Sequence, residues 1–65
     1  MSHIQSTIRN YIGGKSTDQL SDYTLRCFVG MIETEEASLD DFRIAGGADL
    51  ELLVWDAIET GRFKE

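Results

Sequence analysis

The sequence predicts an all-α protein, a small bundle of three to four short helices spanning about residues 2–12, 17–35, 39–45 and 49–60. Apolar residues recur at intervals of three and four in each of these segments, which is the spacing of one helix face. Ser residues stand where the first three helices would begin, and Gly residues stand where the first, third and fourth would end. Pro, which interrupts helices, is absent from the sequence. A chain of 65 residues is expected to form a single small domain.

The first segment has a start signal, one apolar face and a stop signal. Ser2 and Gln5 have the spacing of a capping box, in which each side chain bonds the backbone of the other residue. Gly13 and Gly14 then stop the helix, because Gly accepts the left-handed conformation that closes a helix. The residues predicted to share its apolar face are Ile4, Ile8, Tyr11 and Ile12.

The second segment has two competing start signals. Ser16 with Gln19 fits a capping box, whereas Ser21 has apolar neighbours at the positions of a hydrophobic staple. Gly30 costs about 1 kcal/mol relative to Ala inside a helix, and we interpret it as a point of close approach by a neighbouring helix. The apolar stripe of this helix comprises Leu25, Phe28, Val29 and Ile32.

The last third of the chain predicts two further helices. Ser38 would cap the third, Asp40 and Asp41 would lie favourably in its first turn, and Gly46-Gly47 would end it. The core face of the fourth would comprise Leu50, Leu53, Val54, Ala57 and Ile58. A hairpin about the Gly-Gly pair is the alternative for residues 42–55, but this stretch alternates poorly and has few β-branched residues.

The net charge of −6 and the pI near 4.5 exclude several classes of partner. Nucleic acids and anionic membranes are bound through Lys and Arg, so we expect neither as a direct partner. The sequence lacks the run of about 20 apolar residues that spans a bilayer, and its first residues do not resemble a signal peptide. The one Cys fits a reducing compartment, so we expect a cytoplasmic protein.

No pattern in the sequence predicts catalysis, a cofactor or a metal. His3 has no acidic neighbour in the sequence, and Cys27 lies in an apolar stretch typical of a buried structural thiol. Residues 33–41 fail the ligand spacing of a calcium loop, because Ala37 and Ser38 stand where an oxygen ligand and Gly are needed. Gly13-Gly14-Lys15-Ser16 lacks the upstream Gly and the strand of a phosphate-binding loop. We therefore expect a protein without enzymatic activity.

The acidic charge is concentrated in one stretch. Residues 33–41 contain five acids and no base, whereas residues 1–15 contain two bases and no acid. Clustered charge of one sign steers association with a partner of opposite charge, although a solvated loop would look the same. Trp55 and Leu52 fall partly off the predicted core face and are candidate apolar anchors. The candidate protein-binding residues are Glu33, Glu35, Glu36, Asp40, Asp41, Asp49, Glu51, Leu52, Trp55 and Asp56.

Scattered positions resemble a known family. The chain reads Leu20-Ser21-Asp22, then Leu25 and Phe28, with Trp55 and Ile58 near its end. This pattern is similar to that of the Hha/YmoA family, small helical proteins that bind the nucleoid-associated protein H-NS and modulate gene silencing. The central Asp-His-Arg stretch of that family is absent here, where the chain reads Val29-Gly30-Met31-Ile32. The resemblance implies a basic or nucleic-acid-associated protein as the partner.

The sequence therefore favours an acidic, non-enzymatic adaptor or inhibitor that occludes a basic or nucleic-acid-associated protein, such as a bacterial, plasmid or phage regulator. Partial mimicry of the charge of DNA is one version of this mechanism. There are two alternatives. One is a self-associating helical module, which would form a homodimer through Leu52, Trp55 and Gly30. The other is an Hha-like modulator of a nucleoid-associated protein.

Replacing Glu35→Lys together with Asp40→Lys tests the stretch 33–41. If these acids face a basic partner, the double variant binds it more weakly and its affinity depends less on salt. Titration calorimetry at low and at moderate ionic strength measures both effects. An unchanged affinity at low salt would remove this stretch from the mechanism.

Overall fold

A computed structural model describes residues 2–63, and this part of the chain folds into four α-helices and one 3₁₀ turn. The elements are α1 (His3–Ile12), the 3₁₀ turn (Thr17–Gln19), α2 (Asp22–Glu33), α3 (Leu39–Gly46) and α4 (Ala48–Glu59). Helix α3 packs against both α1 and α4, and α2 closes the bundle against the same two helices. The predicted all-α bundle is confirmed.

The core is centred on two Phe side chains. Phe28 of α2 and Phe42 of α3 are fully buried, and their ring centroids lie 5.0 Å apart. The ring of Tyr11 meets Phe28 edge-on at 5.9 Å and covers it from α1. Burying a side chain of this size stabilises the fold by about 1.5–3 kcal/mol. The buried residues of α4 are Leu50, Val54 and Ala57, and all three belong to the predicted core face.

The prediction of a single helix over residues 17–35 is wrong, because the chain uses both start signals and forms two elements. At Ser16 the backbone N–H donates to the side chain of Gln19 at 3.1 Å and the chain forms the 3₁₀ turn. At Ser21 the hydroxyl accepts from the N–H of Thr24 at 3.2 Å, and α2 begins there. Each cap starts its own element, so Leu20 between them has extended backbone.

Helix α2 also ends two residues before the predicted end at Glu35. Glu35 has φ +63°, a left-handed conformation that breaks the helix. The N–H of Glu36 then donates to the carbonyl of Met31 at 2.9 Å, which satisfies a carbonyl at the end of the helix. The chain reverses within residues 34–38 and leads into α3.

The Gly46-Gly47 pair makes a sharp corner between α3 and α4, and the hairpin alternative for residues 42–55 is wrong. Gly47 is the only residue between the two helices, with φ +92° and ψ 176°, a conformation essentially restricted to Gly. A Cβ at Gly46 would overlap the side chain of Leu50 and lie 3.1 Å from Cδ1 of Ile12. Both glycines are therefore needed, one for backbone conformation and the other for close packing.

Gly30 does not mark a close approach of helices, so that interpretation is wrong. A Cβ at this position would meet no atom of the described chain within 4 Å. The residue instead lines an open groove between α1 and α2. The cost of Gly inside a helix is therefore not offset by packing within residues 2–63.

Asp41 ties α3 to α1. One carboxylate oxygen accepts from the backbone N–H of Ser38 at 3.0 Å, and the other accepts from Nε2 of Gln5 at 2.9 Å. The backbone bond from Ser38 and then the bond from Gln5 lower the pKa of Asp41 below its ordinary value of 3.8. The carboxylate thus acts as a cap of α3 and as a contact between two helices.

We predict opposite effects for Gly47→Ala and Gly30→Ala on the free energy of unfolding. The first forces a Cβ into a backbone conformation reserved for Gly and should lower stability by about 1–3 kcal/mol. The second adds a methyl group in open space and should raise stability by up to about 1 kcal/mol. Urea denaturation measures both, and equal effects of the two variants would contradict this account of the corner.

The stability contributed by Asp41 should depend on pH in one direction. Because folding lowers its pKa, the contribution is present above about pH 4 and is lost as the pH falls through the lowered pKa. The free energy of unfolding of Asp41→Asn should therefore be lower than that of the wild type at pH 7. This difference, the stability gap, should narrow toward pH 2. Urea unfolding between those pH values measures the gap, and Glu59→Gln is the control. A gap that stays constant for Asp41→Asn would contradict the role of the ionised carboxylate.

Candidate functional site

Helix α4 is apolar on two faces, and only one of them lies in the core. Leu52 is 61% exposed and Trp55 is 47% exposed, although Leu52 precedes the half-buried Leu53 and Trp55 follows the buried Val54. Successive residues of a helix are about 100° apart, which turns both side chains away from the buried face. We call this surface the α4 outer face; it comprises Asp49, Glu51, Leu52, Trp55, Asp56 and Glu59.

The charge of the α4 outer face is entirely negative. The twelve residues of α4 include four acids and no base. Asp49 and Asp56 lie on one side of Leu52, and Glu51 lies on the other side. The face therefore has an apolar centre and an acidic rim, and the acids of the rim attract positively charged groups.

Two shallow grooves border Leu52, which contributes to both. The groove toward α3, here the α3 groove, is lined by Leu39, Glu51, Leu52 and Trp55. The groove toward the 3₁₀ turn, here the turn groove, is lined by Ser16, Thr17, Asp18, Asp49, Leu52, Leu53 and Asp56. Leu52 thus forms a ridge between a mainly apolar groove and a groove with three carboxylates.

The negative charge is compensated in one groove and uncompensated in the other. Arg43 of α3 lies 3.0 Å from a carboxylate oxygen of Asp40, and its Nε lies 3.8 Å from Glu51. Within residues 2–63, no Lys or Arg nitrogen lies within 4.0 Å of the carboxylates of Asp18, Asp49 or Asp56. Of these two grooves, the turn groove therefore attracts a cation more strongly.

The five acids of residues 33–41, which were predicted to bind a partner, do not form one surface. Asp41 is bonded to Ser38 and Gln5, and Asp40 is paired with Arg43. Glu36 lines the groove between α1 and α2, whereas Glu33 lines another groove between α2 and α4. Glu35 occupies the exposed chain reversal after α2. A role of these acids in binding stays a prediction.

The structure does bring together the other predicted site residues, and it adds two that the sequence did not predict. Asp49, Glu51, Leu52, Trp55 and Asp56 all belong to the α4 outer face. Asp18 adds a third carboxylate to the turn groove, and Leu39 adds an apolar wall to the α3 groove. The capping signal at Ser16 could have located the turn that carries Asp18, but not its neighbours in the fold.

The remaining candidates for chemistry, His3 and Cys27, lie outside the α4 outer face. His3 is exposed and Cys27 is half-buried, and both line the groove between α1 and α2. Across residues 2–63, no three His, Cys, Asp or Glu side chains are grouped closely enough to hold a metal ion. In the same part of the chain, no helix is both long and apolar enough to cross a membrane.

Comparisons with known proteins give no relative for this chain. It matches no protein-family model, and the resemblance to the Hha/YmoA family therefore rests on its scattered positions alone. No curated protein and no solved structure shows significant similarity to it.

Proposed function

We propose that this chain is a non-enzymatic adaptor or inhibitor that binds another protein through the α4 outer face. The single observation that carries the proposal is the exposure of Leu52 and Trp55, side by side, within an acidic rim. Trp is enriched at the centres of protein interfaces, where its large apolar surface leaves water on binding. Two other aromatic side chains are exposed, Tyr11 on α1 and Tyr23 on α2. Neither lies on a helix like α4, because α1 contains no acid and α2 carries Arg26 between its two acids.

The partner that fits this face has a basic surface. Four acids on one helix raise the local concentration of positively charged proteins and fix how they approach. A basic surface that binds this chain is covered by it, so the proposed mechanism is stoichiometric occlusion. A nucleic-acid-associated protein fits this description, since its own binding surface is rich in Lys and Arg. Acids on a helix would then stand in for part of the charge of the nucleic acid.

Self-association through the same face is the weaker candidate. A two-fold dimer would pair the α4 outer face with itself and so bring two sets of four acids together. Like charges placed opposite each other across an interface cost several kcal/mol. Gly30 is a further contact in that hypothesis, but it lines the groove between α1 and α2 and does not belong to the α4 outer face.

Trp55→Ser tests the proposal, with Tyr23→Ser as the matched control. The side chain of Tyr23 is 73% exposed, so both replacements remove an exposed aromatic residue. We expect Trp55→Ser to weaken binding of the partner about 30-fold or more, as loss of an interface anchor does, and Tyr23→Ser to weaken it less than about threefold. Affinity capture from the native host with the wild type supplies the partner, and titration calorimetry with the purified partner gives the affinities.

Two results would contradict the proposal. One is that Trp55→Ser binds the purified partner as tightly as the wild type while both variants remain folded by circular dichroism. The other is a wild-type dimer in sedimentation at neutral pH that dissociates in Trp55→Ser, which would favour the self-associating module.

A further inference from the structure

The two grooves beside Leu52 differ in the chemistry of the side chain that each can accept. The turn groove has carboxylates on both walls, Asp18 on one and Asp49 with Asp56 on the other. Part of its lining is apolar, because Leu52 and Leu53 contribute to it as well. A long side chain with an aliphatic stem and a positive end matches this combination, and only Lys and Arg have that form.

The positions of the carboxylates favour an extended cationic group over a metal ion. Asp49 and Asp56 are seven residues apart on α4, which separates them by roughly 10 Å along the helix axis. The carboxylates of the turn groove are accordingly not grouped closely enough to hold a metal. Asp18 lines the groove from the turn that begins at the Ser16–Gln19 capping box, and one of its carboxylate oxygens accepts from the hydroxyl of Ser16. A guanidinium or ammonium group on a flexible stem can lie between such walls.

The α3 groove has the opposite preference. Three of its four lining residues are apolar, Leu39, Leu52 and Trp55, and the fourth is Glu51. The charge of Glu51 is partly compensated by Arg43, which repels a second cation at this place. An apolar side chain therefore gains more here than a charged one, because it covers exposed Leu and Trp surface.

We infer that the α4 outer face binds a short basic amphipathic segment of its partner in one orientation. A Lys or Arg of that segment occupies the turn groove, and an apolar side chain beside it occupies the α3 groove. This inference rests on the proposed function and deepens it, since it assigns the charge contact to Asp18, Asp49 and Asp56 and not to residues 33–41. The difference in charge compensation between the two grooves fixes the orientation.

The test uses a synthetic peptide as the probe. The peptide is short, capped at both ends, and carries Arg and Leu side by side on one face of a helix. A nitroxide label attached next to the Arg should broaden the amide signals of Thr17 and Asp18 in NMR spectra of the labelled protein. The signal of Leu39, on the other side of Leu52, should be broadened less. Equal broadening on both sides, or the reverse pattern, would overturn the orientation.

Matched charge variants test which acids carry the contact. Asp49→Asn with Asp56→Asn removes two charges from the turn groove, and Glu33→Gln with Glu35→Gln removes two charges from the stretch 33–41. Both pairs change the net charge equally, so a general electrostatic effect would weaken peptide binding to the same extent. We expect the first pair to weaken binding about tenfold at low salt and the second less than about twofold, as a local contact predicts.

The outcomes distinguish this inference from the proposed function. Equal effects of the two pairs, or no peptide binding by the folded wild type at low salt, would overturn the inference. If Trp55→Ser weakens binding of the purified partner but the Asp49 and Asp56 pair does not, the inference fails and the proposed function stands. If Trp55→Ser leaves binding of the partner unchanged, the proposed function fails.

Discussion

The conformation of Gly47 determines the relation between the two helices on which the candidate surface depends. With one residue between them, α3 and α4 can pack together only if the chain turns sharply, and φ +92° with ψ 176° provides that turn. The same turn places Leu50 against Gly46, where a side chain would separate the helices. Leu39 and Arg43 of α3 consequently lie beside α4. A different corner would leave the α4 outer face without its apolar wall and without the cation that compensates Glu51.

Local signals were enough to predict the fold class and most helix bounds. Ser2, Ser21 and Ser38 stand at helix starts in the structure, and Gly13 and Gly47 stand at helix ends. These signals depend on hydrogen bonds between residues close in sequence, so they can be recognised without the fold. The division of the region 17–35 was not predicted, because two capping signals five residues apart fit one helix with either start as well as two separate elements.

The candidate surface could be predicted only in part, since it depends on contacts between distant residues. The α4 residues share a face by helical periodicity, which the sequence contains. The five acids at 33–41 are close in sequence, yet they span a helix end, a chain reversal and a helix start, so their side chains separate. Asp18 joins Asp49 and Asp56 only because the 3₁₀ turn packs against α4. The charge of the stretch 33–41 is therefore a poor guide to where charge remains uncompensated.

The position of Trp55 makes two events distinguishable by fluorescence, namely unfolding of the bundle and binding at the surface of α4. The aromatic core consists of Phe28, Phe42 and the edge of Tyr11, whereas the one indole of the chain lies half-exposed on α4. Indole fluorescence responds to the local loss of water. Melting of the bundle exposes the covered half of this fluorophore to water, whereas coverage of α4 by another molecule removes the exposed half from water. The natural emission of the chain therefore shifts in opposite directions on loss of the fold and on occupancy of this surface.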